Sequence, residues 1–159
     1  MTITATTQQA VLAWSTVLHL EVDRLQDSRR AVVTFDRARR GRDTFTPADS
    51  LPFYDLDGHA HFTMTAAIQL VRALEAFDGD LRLPSGLDVD RLRALRNALE
   101  HWDDTTGRAQ KAMAELGASA TAHRWERGGA GVLGDIVSDE LLAHWARGVY
   151  NEIVGIDPS

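Results

Sequence analysis

The hexapeptide Arg96-Asn97-Ala98-Leu99-Glu100-His101 sets a guanidinium and an imidazole five residues apart. An imidazole with an ordinary pKa near ~6.5 gives or takes a proton at neutral pH, and a guanidinium offers a permanent charge with a two-pronged fork for phosphate oxygens. Phosphodiester chemistry without a metal requires those two groups, one to move protons and one to hold the charge that grows on the phosphoryl oxygens. The same residues admit a plainer reading, in which Arg96 pairs with Glu100 one turn along a helix and His101 sits in water.

Other clusters carry less. Asp55-Leu56-Asp57-Gly58-His59-Ala60-His61 alternates oxygen and nitrogen donors, but Met64 stands where a calcium loop needs its bidentate Glu, and histidines two apart diverge on a helix. It reads as a polar loop leading into a second helix. Gly128-Gly129-Ala130-Gly131 has no following Lys-Ser/Thr and reads as a flexible turn. His19, His123 and His144 stand alone, and no metal site, cofactor motif or Ser/His/Asp arrangement emerges.

The elements that must position the hexapeptide follow from hydrophobic spacing. Asp88 is a good N-cap for a helix carrying Leu92, Leu95, Leu99 and Trp102 in one stripe. At about 100° per residue Asn97 falls almost opposite that stripe, His101 lies about 40° from Asn97, and Arg96 and Glu100 occupy the flank. This places His101 outside the core. Thr105-Thr106-Gly107 weakens the helix, which either stops there or runs on through Ala112 and Leu116 to Gly117.

Upstream, Val11, Trp14, Leu18, Leu25, Val32 and Phe35 keep helical spacing except where Glu21 and Ser28 interrupt it. Thr6 and Gln9 read as a capping box that starts this first helix, which runs to about Arg40 before the turn-rich stretch Thr46 to Pro52. A second helix is expected from near Phe62 to Phe77, with Asp78-Gly79-Asp80 closing it. Over residues 119–137, Thr121–Trp125 and Val132–Val137 flank the glycines as a small β-hairpin, and a last helix runs from Asp139 to about Val154. The fold class is all-α, a bundle of four to five helices with a small β-hairpin before the last, and residues 1–159 read as a single domain.

Arg96, a polar Asn97, three more residues and His101, on an apolar-striped helix late in a small bundle, resembles the signature of the HEPN family (higher eukaryotes and prokaryotes nucleotide-binding domains). Leu95 and Trp102-Asp103-Asp104 extend the likeness, which covers about residues 60–105. Many HEPN proteins are metal-independent endoribonucleases, some of them toxins of toxin–antitoxin pairs or agents of phage defence. The resemblance implies that Arg96 and His101 are the catalytic pair, that Asn97 shapes the site, and that two copies face each other across one cleft. It implies attack of an RNA 2′-hydroxyl on the adjacent phosphate, leaving a cyclic phosphate and a free 5′-hydroxyl. An antitoxin or a nucleotidyltransferase-like protein is an implied partner, and RNA the implied substrate. The alternative is a HEPN-like module that keeps the fold and the dimer but only binds or regulates.

Composition sets the bounds. A formal charge of −6 argues against broad electrostatic coating of nucleic acid and leaves room only for a small cationic site. The chain has no cysteine, hence no disulfides or thiolate ligands. A signal peptide and a membrane-spanning stretch are not expected, and a cytoplasmic location is.

Overall fold

The computed structural model describes residues 2–41, 44, 46–77, 81–100, 106–116, 124–125, 131–133 and 136–155. These form an all-α bundle of five helices with short strands before the last: α1 Thr2–Arg39, α2 Leu51–Glu75, α3 Val89–Glu100, α4 Arg108–Glu115 and α5 Asp139–Gly155, with β1 Arg124–Trp125, β2 Gly131–Leu133 and β3 Val137–Ser138. No helix among the described residues is long and apolar enough to cross a membrane.

The long helix α1 is the spine. Val11, Leu18, Val22, Leu25 and Val32 bury one stripe of it, and α2 and α5 pack against it. Leu56, Met64, Ile68 and Leu70 answer from α2, and Leu142, Trp145, Val149 and Ile153 from α5. One buried cluster draws on all five helices and on Leu133 and Val137 of the strands. Thr6 lies inside α1, which begins at Thr2, so the expected capping box is not the start of the helix. The expected end near Arg40 matches.

The expected polar loop at residues 55–61 is helix. A 3-10 turn, Pro47–Ser50, leads directly into α2, fastened where the Asp49 carboxylate accepts bonds from the Thr46 N–H and Oγ1 at 2.6 and 2.8 Å. Pro52 falls in the first turn of α2, where a missing N–H costs nothing and its fixed φ favours the helix. The proline at the end of the expected turn-rich stretch thus lies in the start of a helix. α2 ends at Glu75, and the expected closing residues Asp78–Asp80 lie outside the described residues.

The helix carrying Arg96 begins as expected. Asp88 Oδ1 accepts the Arg91 N–H at 3.1 Å, and its carbonyl accepts the Leu92 N–H at 3.0 Å. Of the two continuations the sequence left open, the structure takes the break: Gly107 has φ +65, and α4 starts at Arg108 as a separate helix.

The two segments expected to pair do so, β1 antiparallel to β2, and β3 adds a third strand antiparallel to β2, in the order β1-β2-β3. Ile136 N–H bonds the Leu133 carbonyl at 2.9 Å, so the segment Val132–Val137, read as one strand, folds back on itself as two. The Ser138 hydroxyl then accepts the Leu141 N–H at 3.1 Å and caps α5. Asp139 and Glu140 in its first turn oppose the positive end of the helix dipole.

Candidate functional site

α3 carries Arg96 and Asn97 on a helix anchored by its opposite side. Leu92 and Leu95 are fully buried and Ala98 nearly so, while Leu99 is half-buried. The buried stripe is therefore turned towards Ala98 relative to the expected one. Asn97 is exposed, as its wheel position requires. Arg93 bridges α3 to the end of α2 through Glu75 at 3.1 Å.

Arg96 sits at the boundary, its side chain 23% exposed and ion-paired with Glu100. The pairing is the plainer of the two sequence readings. Its Nε is buried without a partner among the described residues, so the guanidinium is only partly spent. His101 and Trp102 lie outside the described residues, as do Asp103 and Asp104. The structure thus brings Arg96, Asn97 and Glu100 onto one helix.

A second polar constellation, which sequence reasoning did not assemble, joins α1 to α2. Ser28 Oγ donates to Asp55 Oδ2 at 2.6 Å, Asp55 Oδ1 lies 3.6 Å from His59 Nε2, and His59 Nδ1 lies 3.1 Å from Glu21 Oε2. Arg24 pairs with the other oxygen of Glu21. The imidazole stands between two carboxylates, which lie at opposite ring nitrogens and do not converge on one point. Among the described residues, no group of three or more His, Cys, Asp or Glu side chains can hold a metal ion. The signal was present as Glu21 and Ser28, seven residues apart, breaking the apolar stripe of α1. Their partners became visible only once residues 55–59 proved helical.

A third feature is electrostatic. Arg29 and Asp139 meet at 3.1 Å with side chains 3% and 2% exposed. Burial pushes the Asp139 carboxyl above its ordinary value, Arg29 pulls it back, and neighbouring Glu140 raises it again. Burial likewise lowers the Arg29 guanidinium, against the pull of Asp139. Both groups lie deep between α1 and the first turn of α5 and fasten the two elements together.

The chain matches no protein-family model, no curated protein and no solved structure. The α3 motif sets a phosphate-binding and a proton-transferring residue type close together in sequence, and its Asn97 is exposed.

Proposed function

We propose that this chain is a HEPN-like helical protein whose Arg96, Asn97 and His101, set against the same residues of a second copy, cleave RNA without a metal. The observation that carries the reading is the division of α3. Leu92, Leu95 and Ala98 are buried in the protomer, while Asn97 is free to face a partner and Arg96 stands at the edge. A composite cleft between copies needs that division, because residues consumed by the protomer's own core cannot line it.

In the proposed chemistry one histidine of the facing pair takes the proton of the RNA 2′-hydroxyl as its oxygen bonds to phosphorus. The other donates a proton to the departing 5′-oxygen as the P–O5′ bond breaks. The arginines hold the charge on the phosphoryl oxygens, which requires Arg96 to exchange part of its bond with Glu100 for substrate. That bond favours a second reading, a HEPN-like dimerisation or regulatory module in which Arg96 is structural, and the charge of −6 leans the same way.

Incubating the purified protein with mixed RNA in EDTA, beside His101→Ala, tests the two. Cleavage by the parent alone, leaving cyclic phosphate ends, supports the nuclease. Absence of cleavage in both supports the module, and equal cleavage in both removes His101 from the chemistry.

A further inference from the structure

Arg96 and Glu100 stand one turn apart on α3, a helix held in place by buried Leu92 and Leu95 and by the bond from Arg93 to Glu75 of α2. Their side chains are ion-paired with only 23% and 29% of their surfaces exposed. In so sheltered a place the attraction is less screened than between solvated charges. Lys111 and Glu115 on α4 have the same spacing and give the contrast, 4.0 Å apart with 79% and 68% exposed.

Helix stability is a poor account of the pair. At this spacing an acid supports a helix best when it precedes the base, because each charge then lies towards the favourable end of the dipole, and here the base comes first. Nor does the pair tie α3 to another element, as Arg93 does through Glu75. What it alters is the guanidinium. One terminal nitrogen of Arg96 donates to Glu100 Oε1, and Nε is buried without a partner among the described residues.

A carboxylate and a phosphodiester are both oxyanions, and a guanidinium binds either through the same N–H groups. An RNA phosphate reaching Arg96 therefore meets a donor already engaged and a like charge beside it. We propose that Glu100 restrains Arg96, competing with the RNA backbone for its guanidinium, so that the site binds phosphate below its capacity until that carboxylate is displaced or neutralised. The inference rests on the reading of Arg96 as a phosphate-binding residue. It makes Glu100, a residue that the acid–base chemistry does not itself require, the one that sets how tightly the site takes its substrate.

Fluorescence anisotropy with a labelled 2′-O-methyl RNA oligonucleotide tests this, since that strand carries the phosphates but lacks the free 2′-hydroxyl that cleavage needs. Glu100→Gln keeps the shape of the side chain and removes its charge, and should tighten binding by roughly 3- to 10-fold. Asp90→Asn removes an equal charge from an exposed position on the same helix, where its partner Arg93 keeps Glu75, and should change binding by less than about twofold. Arg96→Gln with Glu100→Gln should bind no more tightly than Arg96→Gln alone, because the gain passes through the guanidinium. Thermal melts establish that the variants fold, and Glu100→Ala carries the test should Glu100→Gln melt early. Equal or weaker binding by a folded Glu100→Gln overturns the proposal, as does a gain matched by Asp90→Asn or one that survives the loss of Arg96. Absence of binding by both the parent and Glu100→Gln overturns it too. Cleavage of unmodified RNA in EDTA, read on the same samples, keeps this claim apart from the nuclease reading. Tightened binding without cleavage in either protein supports the restraint and removes the nuclease, whereas a cleaving parent whose Glu100→Gln variant binds no better removes the restraint alone.

Discussion

Arg29 and Asp139 place opposite charges 110 residues apart in sequence at 3.1 Å in the interior. One Asp139 oxygen is bonded to Arg29 and the other, Oδ2, is buried without a partner among the described residues. The pair is better suited to fixing how α1 meets α5 than to adding stability, because two buried charges give back in desolvation most of what their attraction yields. Removing one partner strands the other, so Arg29→Met should destabilise by about 3–5 kcal/mol in urea denaturation, whereas Arg29→Met with Asp139→Leu should recover most of the loss. A double variant as unstable as the single one would contradict this account. Burial also sets a pH dependence. With its pKa raised above the ordinary 3.8, Asp139 keeps its proton in the folded state at pH values where the unfolded chain has released it. The folded state then binds more protons, so the stability contributed by this group is fully present below the ordinary value and is lost as pH rises through the folded one. Melting the parent beside Asp139→Asn from pH 4 upward should show the parent losing ground to the variant across that window. A gap independent of pH would remove the titration from the account.

At the scale of elements, α1, α3 and α5 were legible because each carries an apolar stripe at helical spacing. Asp88 supplied a recognisable start for α3. The first three turns of α2 were not legible, and the reasons are local. Pro52, Gly58 and a run of polar residues all argue against helix when read alone, and what favours it is distant: Asp55 meets Ser28, His59 meets Glu21, and Phe53 packs edge-to-face on Phe35 at 6.1 Å between ring centres. Tertiary pairing thus decides a segment whose propensity is indifferent. Gly58 remains a weak point in that helix, since glycine loses more backbone freedom on folding than alanine. A methyl group built there would meet nothing within 4 Å. Gly58→Ala should therefore stabilise by roughly 0.5–1 kcal/mol, read as a higher melting temperature. A fall would mean that this turn needs glycine for a reason other than space. Gly107 provides the contrast, because its φ of +65 makes alanine strained there whatever room surrounds it.

For the whole molecule, the issue is what a single copy can do with the α3 motif. The bundle buries Leu92 and Leu95 and leaves Asn97 exposed, with Arg96 at the edge of the helix's buried face. The sequence made that division legible through helical period alone. It did not reveal how much of Arg96 is already engaged, because the Arg96–Glu100 bond and the nuclease role draw on the same residue spacing. A site shared between two copies gives the exposed Asn97 a surface to face, and it predicts a symmetric homodimer by light scattering whose mass persists in His101→Ala. In that dimer His101→Ala should lower RNA cleavage by roughly 10²–10⁴-fold, the worth of a positioned acid or base. Arg96→Lys should also fail although it keeps the charge, since an ammonium cannot reproduce the planar fork that holds two phosphoryl oxygens at once. Neither change removes an apolar core side chain, so melting temperatures should stay near the parent's. The module reading gives a different pattern on the same samples, with no cleavage to lose and with Arg96→Lys loosening the dimer or its partner complex. Measuring mass, melting and cleavage together separates the two readings, and a monomer that cleaves RNA at full rate would exclude the shared site.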